Sequence, residues 1–419
     1  MNIEIKKYGG VHMTGYMDLN EKQLKNLFFF MDKVGGNHYS VLKEDFNIKL
    51  GGSLKNQNDK VIHALMMNDI NFDYFITWLN HVHMNGNNTI YIFEPEINNL
   101  FINNPIESLF DKIKKNTGSI LETGLDELKN IQIIHSTMNS VREQIIITLA
   151  APAYLSLKDK DNNIYLEKDI YLGYLIIDYK LEHFRLSLHP THNVYSVNNL
   201  IKDKGYDSIS LAFMDFFKKL FLPFNYANPD WIIEGMSTIV EEYFDHNNPI
   251  IEKKLAEFKK SEITKLVEIL IAKESGFKDN SFIMRFEQAL LNSYESELIE
   301  IYKQVPKENP FSIFLHEAGK GIVSFMANSN GKPLNYADSR IIVKMMMENT
   351  LVSSLGITYT ENGKNYPYKI AKNYNFISLK RVNNSGTPKE IVDDVLSKLN
   401  KYKSIGEFEC TDRSITEVE

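Results

Sequence analysis

Three histidines lie close together in the segment LEHFRLSLHPTHN: His183, His189 and His192. Side chains alternate between the two faces of a strand, so in a regular strand the first two of them share one face with Arg185 and Ser187. Two further histidines, His81 and His83, could join them in a metal site, since imidazole is a common metal ligand. A solvated sheet face or a small anion site is the alternative interpretation of this histidine-bearing face.

A second pattern that could do chemistry is Asp178-x-Lys180, which ends the segment LIIDYK, with Asp169 nine residues before the aspartate. Metal-dependent nucleases hold Mg²⁺ with carboxylates and use a lysine to stabilise charge at the phosphate. The same spacing on an alternating strand would direct both side chains to water instead. The sequence leaves both interpretations open.

The third pattern is NPDWIIEGMSTIVEEYF at residues 228–244. It resembles the segment of gluzincin metallopeptidases that supplies a glutamate ligand to zinc, through the residues Trp231, Glu234, Gly235 and Glu241. The resemblance implies that Glu234 is a zinc ligand and that a preceding helix carries His-Glu-x-x-His. The nearest alignment of that preceding helix, LAFMDFFKKLF, has Met214, Asp215 and Lys218 at these positions instead.

An intact His316-Glu317 pair follows in FLHEAGKG, but Lys320 occupies the position of the second histidine and the pair comes after Glu234 in the chain. Two other interpretations of residues 228–244 therefore stand beside an active peptidase. One is a peptidase-like fold that has lost its metal. The other is an amphipathic structural helix, in which Trp231 is a core contact and Asp230 caps the first turn.

Composition limits the classes of function. The 419 residues include 47 basic and 54 acidic side chains, so the net charge of −7 argues against a globally basic nucleic-acid binder and leaves only a local basic patch. Only six of the basic residues are arginine, the residue that reads guanine edges, so sequence-specific DNA recognition is disfavoured. The sequence lacks the phosphate-binding GxxxxGK and the dinucleotide-binding GxGxxG, and we expect no cofactor.

Cellular location is indicated by what the chain lacks. With Cys410 as the single cysteine, the chain has no internal disulfide and no multi-cysteine metal site, which fits a reducing compartment. The N-terminal segment lacks the apolar stretch of a signal peptide, and no run of about 18 apolar residues occurs. We therefore expect a soluble cytoplasmic protein that does not enter a membrane.

Hydrophobic periodicity predicts an α+β protein with three domains. Apolar residues at helical spacing indicate an N-terminal helical cap over residues 1–86. Alternating segments from NNTIYIF to HFRLSLHP indicate a central antiparallel sheet within residues 87–200. Residues 201–419 are predicted to form a mainly helical layer with a short β segment around GITYTENGKNYPYKIAKNYNFISLKRV. Within that layer, FSIFLHEAGKGIVSFMA and ADSRIIVKMMMENTLVSSLG are predicted to be helices.

No motif is complete, which favours a non-catalytic interaction or scaffold subunit of a larger bacterial assembly, with other proteins as partners. The apolar stretches LFFFMD and KMMMEN could provide contact surface, although core packing explains them equally well. An accessory protein of a phage-defence or DNA-processing system is a specific form of this hypothesis, motivated by a lysine- and asparagine-rich composition typical of AT-rich bacterial genomes. The alternative is a hydrolase with a scattered site, either a degenerate gluzincin-like metallopeptidase or a metal-dependent nuclease.

Overall fold

The fold is described from a computed structural model. The structure describes residues 16–47, 51–97, 99–202, 205–245, 248–274, 280–302, 310–320, 323–330, 332–334, 337–347, 351–382 and 386–403. The chain divides into two compact units: unit 1 comprises Met1–Asn88 and Ile97–Phe224, and unit 2 comprises Thr89–Glu96 and Asn225–Glu419. The predicted α+β class, with helices at both ends and antiparallel strands, is confirmed. The predicted domain boundaries at residues 86 and 200 remain predictions.

In the described part of unit 1, the first four α-helices are α1 (Glu21–Asp32), α2 (Ser40–Phe46), α3 (Leu54–Met66) and α4 (Phe72–His81). Helix α1 starts at a capping box, in which Asn20 and Gln23 each accept a hydrogen bond from the other's backbone N–H. The later helices of unit 1 are α5 (Leu100–Asn103), α6 (Ile106–Lys115) and α7 (Asp207–Leu220). The helices predicted from apolar spacing in this unit are therefore present.

The strands of unit 1 are β2 (Gln132–Asn139), β3 (Gln144–Lys158), β4 (Ile164–Asp178), β5 (His183–Leu188), β6 (Val194–Val197) and β7 (Leu200–Ile201). All their pairings are antiparallel. Strands β3 and β4 form one long hairpin, paired from Gln144↔Asp178 to Lys158↔Ile164. Strand β2 pairs with β3 only as far as Ala150, and β5 pairs with β4 only from Gly173. The far end of the hairpin therefore extends beyond β2 and β5.

The core of unit 1 packs the first four helices against one face of the sheet. Leu27, Phe30 and Phe75 from the helices share a buried cluster with Ala150 of β3 and Ile170 of β4. Helix α7 packs on strands β4 and β5: a Cβ atom built on Gly173 would lie 3.3 Å from the Phe213 ring and 3.1 Å from Leu188. Glycine at this position permits the close approach of the helix to the sheet.

Unit 2 contains β1 (Thr89–Phe93), β8 (Phe311–Lys320), β9 (Val323–Asn328), β10 (Leu351–Glu361), β11 (Lys364–Lys372) and β12 (Ile377–Arg381), in the antiparallel order β1-β12-β11-β10-β8-β9. Its helices are α8 (Trp231–Phe244), α9 (Pro249–Phe258), α10 (Thr264–Lys273), α11 (Asn280–Tyr302), α12 (Ala337–Met347) and α13 (Lys389–Asn400). A π-helical turn at Lys259–Ile263 joins α9 to α10. None of the helices in the described ranges is long and apolar enough to cross a membrane.

The prediction of helix for FSIFLHEAGKGIVSFMA is wrong, because this segment forms the hairpin strands β8 and β9. The predicted helix ADSRIIVKMMMENTLVSSLG is correct only in its first half, since α12 ends at Met347 and β10 begins at Leu351. Strand β8 lies between β9 and β10, and residues on both of its faces are buried. A strand buried on both faces presents a continuous apolar run, which resembles a buried helix in sequence.

Candidate functional site

The tryptophan of the gluzincin-like segment anchors its helix within unit 2. The Trp231 indole N–H donates a hydrogen bond of 3.0 Å to Glu94, and the Lys403 ammonium lies 3.1 Å from the second carboxylate oxygen of Glu94. The Glu94 side chain is 7% exposed, so both of its oxygens are paired in a mostly buried environment. Trp231 therefore provides a hydrogen-bond donor to a mostly buried carboxylate, which supports the interpretation of α8 as a structural helix.

The prediction that Asp230 caps α8 is wrong. Asp230 has helical backbone angles, φ −63° and ψ −29°, and its side chain makes no capping hydrogen bond. Its carboxylate instead lies 2.9 Å from the Lys372 ammonium and accepts a hydrogen bond of 2.9 Å from the Asn228 amide. A residue already in the helical region cannot direct its side chain back to the first-turn N–H groups as an N-cap does.

The gluzincin-like ligand set is not assembled within either unit. Glu234 lies half-buried on α8 of unit 2, whereas Met214 and Lys218 lie on α7 of unit 1. Met214 is fully buried, and the Lys218 ammonium lies 5.0 Å from the centre of the Phe224 ring. Among the described residues no group of three His, Cys, Asp or Glu side chains is placed to hold a metal ion.

The His316-Glu317 pair lies on strand β8 rather than on a helix, so its two side chains point to opposite faces of the sheet. His316 is fully buried without a hydrogen-bond partner for either ring nitrogen among the described residues, and burial lowers its pKa to about 4. Glu317 accepts hydrogen bonds from Ser354 at 2.6 Å and Lys369 at 3.0 Å, and these lower the pKa of its carboxyl. The two groups cannot act together on one metal or one substrate.

The Asp178-x-Lys180 pattern is divided between a strand and a turn. Asp178 ends β4 and is buried, and it accepts a hydrogen bond of 2.6 Å from the Gln144 side chain. Its other oxygen accepts from the backbone N–H groups of Lys180 and Leu181 at 3.1 and 3.0 Å. The Lys180 ammonium lies 3.3 Å from the Val141 carbonyl oxygen. The expectation that the side chains point to water is therefore wrong for Asp178, which is buried and organises the turn, whereas Lys180 is exposed.

The predicted common face of His183, Arg185 and Ser187 exists, because all three lie in the regular strand β5. The expectation that this face is solvated is wrong, since the three side chains are 4%, 1% and 6% exposed. The pairing register places further polar residues of β3 and β4 on the same face: Gln144, Thr148, Tyr174 and Asp178. Thr148 donates to the carbonyl of Asn80, the next-to-last residue of α4. This polar face is covered, and it offers no open surface for a substrate.

His189 lies beyond the end of β5, where it joins two histidines from other segments of unit 1. Its Nδ1 atom lies 3.0 Å from the Asn87 carbonyl oxygen, and the rings of His38 and His83 are 5.4 Å apart. Burial, followed by the neighbouring imidazoles and the Lys33 ammonium, lowers the pKa of His83 to about 4. Burial and then the His189 imidazole lower the pKa of His38, and burial lowers that of His189.

The sequence named His83 and His189 as possible members of one metal site, which stays a prediction, and it did not identify His38 or Lys33. Lys33 forms an ion pair with Asp169 of β4, and this pair accounts for the aspartate that the nuclease hypothesis used. His81 lies against His135, with ring centres 5.0 Å apart, and His192 is exposed. Contacts between segments far apart in sequence leave no local pattern, so the two missed residues carried no signal.

The clearest exposed feature is the outer end of the β3–β4 hairpin, residues 154–168, which we call the β-arm. Ile164, Tyr165 and Leu166 are 69%, 47% and 49% exposed, and Tyr154 on the paired strand is 37% exposed. No strand in the described part of the chain pairs with the outer edge of β4 between Ile164 and Leu172. An apolar strand with an unpaired edge is a surface on which another chain can add a strand.

The two apolar stretches that the sequence suggested as contact surface differ from the β-arm. In LFFFMD, Leu27, Phe30 and Met31 are buried in the core of unit 1, Phe29 is half-buried, and Phe28 is 42% exposed. Residues 345–347 of KMMMEN end helix α12, but their side chains are outside the described part of the structure. The β-arm could have been recognised from IYL at residues 164–166, which places apolar side chains on both faces of a strand.

Comparison with known proteins adds no assignment to this geometry. No protein-family model matches the chain, and a search of curated proteins found none with significant similarity.

Proposed function

We propose that this protein is a non-catalytic interaction or scaffold subunit of a larger bacterial assembly and that the β-arm is its contact surface. One observation carries the proposal: three consecutive apolar residues, Ile164 to Leu166, are exposed on a strand whose outer edge has no partner strand among the described residues. Exposed apolar residues in a contiguous patch mark interaction sites in soluble proteins. An accessory role in phage defence or DNA processing would be a specific form of this function.

The surroundings of the candidate catalytic residues also favour binding over hydrolysis. Asp178 orders a turn, Glu317 is bound by a serine and a lysine, and His316 is enclosed in a sheet. A general base needs to come within hydrogen-bonding distance of a substrate proton. Groups that are already engaged or enclosed in this way are poorly placed for that role.

The proposal is tested by affinity purification of the full chain from its native host. We expect the double variant Ile164→Ser/Leu166→Ser to lose partners that the unmodified chain retains, because it removes apolar area from the β-arm. The matched control is Ile102→Ser/Val141→Ser, which removes apolar area at two other exposed sites of unit 1, 71% and 85% exposed. Equal recovery of every partner by both double variants would contradict the proposal.

A second measurement addresses the hydrolase alternative directly. The purified chain is analysed for bound zinc and magnesium and is assayed against peptide and DNA pools, beside the variants Glu234→Ala and Asp178→Asn. We expect the two variants to match the unmodified chain in metal content and in activity. Stoichiometric zinc that disappears with Glu234→Ala, or nuclease activity that disappears with Asp178→Asn in a folded protein, would refute a non-catalytic function.

A further inference from the structure

The outer edge of β4 in the β-arm has no partner strand in the described chain, unlike the edge of β4 that faces β3. Strand β3 pairs with β4 along its whole length, and the second edge of β4 is covered by β5 only between Gly173 and Asp178. Ile164, Tyr165, Leu166, Glu167 and Lys168 are all exposed, whereas Ile170 is buried. Five successive residues therefore combine exposed side chains with a backbone edge that lacks a partner strand in the described chain.

We propose, resting on the binding function proposed above, that two copies of this chain form a symmetric dimer by antiparallel pairing of their β4 edges, centred on Tyr165. A two-fold axis perpendicular to the sheet places residue i of one copy opposite a residue of the same face in the other copy. Only registers centred on a residue satisfy this condition. The register centred on Tyr165 pairs Tyr165 with its own copy, and it pairs Ile164 with Leu166 twice.

Side-chain chemistry selects this register among its neighbours. Centring the pairing on Glu167 would place two carboxylates directly opposite each other, which destabilises a strand pair. Centring it on Leu166 would place Ile164 opposite Lys168 and leave Tyr165 opposite a carboxylate. In the register centred on Tyr165 every exposed apolar residue of the edge meets an apolar residue, and aromatic and β-branched cross-strand pairs are favourable.

Further exposed apolar residues lie beyond the edge strand on one face of the sheet, between polar residues. The register Ser156↔Leu166 and Lys158↔Ile164 places these residues on the same face as Tyr154. Across the neighbouring strands, Tyr154 is paired with Ser196 of β6, and Ser196 is paired with Ile201 of β7. Ile201 is 63% exposed. A second copy that pairs at the edge therefore has further exposed apolar residues to cover, as an interface larger than a single strand requires.

Charge also favours a second copy at the β-arm. The whole chain carries a net charge of −7, so two copies repel each other at most approaches. The β-arm is neutral, because three lysines at positions 158, 160 and 168 balance three acidic residues at positions 159, 161 and 167. In the proposed register Glu167 lies opposite Asn163, which directly precedes β4, and Lys168 lies beyond the paired residues because Asn162 belongs to the turn. Like charges are therefore not placed opposite each other at the edge.

The proposal is tested with single cysteines in a Cys410→Ser background, which removes the only native thiol. Tyr165→Cys places two thiols opposite each other, and opposing Cα atoms in antiparallel strands are about 4.5–5.5 Å apart, within the range for a disulfide. The matched control is Glu167→Cys, which has the same edge and the same face. Its two copies would be offset by four residues, about 13 Å along the strand, and could not form a disulfide. We expect Tyr165→Cys to form a disulfide-linked dimer and Glu167→Cys to form none.

Sedimentation equilibrium of the unmodified chain gives an independent result. We expect twice the chain mass of 48.5 kDa, and a return to the single mass in Tyr165→Lys with an unchanged circular dichroism spectrum. A chain that stays monomeric at every concentration, with Tyr165→Cys cross-linked no more than Glu167→Cys, would overturn the dimer. Partner loss by Ile164→Ser/Leu166→Ser in the purification experiment would then still support binding through the β-arm, so the two failures are distinguishable.

Discussion

Lowering the pH should destabilise the protein through His316, a buried imidazole whose effect can be isolated by one substitution. His316 lies in β8 between Leu355 of β10 and Ala327 of β9, and it is fully buried without a hydrogen-bond partner in the described chain. Burial lowers its pKa from 6.5 to about 4 in the folded protein. Above a pH of about 6.5 the imidazole is neutral in both the folded and the unfolded chain, so it contributes no dependence of stability on pH.

As the pH falls below 6.5, the unfolded chain binds a proton at His316 that the folded protein excludes, and the free energy of unfolding decreases. The loss is about 2 kcal/mol at pH 5 and reaches about 3 kcal/mol below pH 4, where the folded protein also binds the proton. His316→Leu removes this titration and keeps an apolar side chain of similar size. It also removes two ring nitrogens that lack partners, so the variant should be at least as stable as the unmodified protein at pH 7.

The assay is urea unfolding of both proteins at pH 7 and at pH 5. Other buried histidines, such as His83 and His135, contribute equally to both proteins and cancel in the difference. We expect the unmodified protein to lose about 2 kcal/mol more than His316→Leu between the two pH values. Equal losses would refute the reasoning, because they would mean that His316 is solvated or paired in the folded state.

Three further substitutions test the contacts that organise the two units, each by urea unfolding at neutral pH. Trp231→Phe keeps the aromatic packing but removes the hydrogen bond to the mostly buried Glu94, so we expect the free energy of unfolding to fall by about 1–3 kcal/mol. A change within error would show that this carboxylate does not need the indole N–H. Lys33→Met should lower the free energy of unfolding by about 1–3 kcal/mol, because Asp169 loses its ion-pair partner. Adding Asp169→Leu should restore part of that stability, and no recovery would exclude the ion pair as the cause. Gly356→Ala should cost about 1–3 kcal/mol, because a Cβ atom there would lie 2.5 Å from a side-chain carbon of β8, and an unchanged midpoint would contradict this close strand packing.

Local hydrophobic patterns were sufficient to predict many elements of the fold. Helix α8 and strands β3 to β5 lie where apolar spacing placed them, since the periods of 3.6 and 2 residues are properties of the sequence. The same method failed at residues 311–320. Leu315 and His316 are buried on opposite faces of the sheet, and Ile313 and Phe314 beside them are also buried, so no polar alternation distinguishes this strand from a helix.

The candidate site residues were identified correctly by type, but their environments were not predictable. Asp178 has the sequence context of a residue on an open strand end, yet Gln144, which is 34 positions earlier, and the following turn enclose it. His183 and Arg185 lie on a face that alternation alone would leave in water. Burial of a polar strand face depends on which helices cover it, and that choice is made by contacts between distant segments.

Sequence alone determined the α+β class, the common face of His183, Arg185 and Ser187 and the absence of a complete catalytic motif, because composition and periodicity are local properties. Tertiary structure decided that His316 and Glu317 point to opposite faces of a sheet, and that His38 lies beside His83. It also decided that Ile164, Tyr165 and Leu166 remain exposed, since strand β5 pairs with β4 only from Gly173 onward and no other strand of the described residues pairs with that edge of the β-arm. Exposure of an apolar strand depends on where its neighbouring strands end, and strand pairing across distant segments sets those ends.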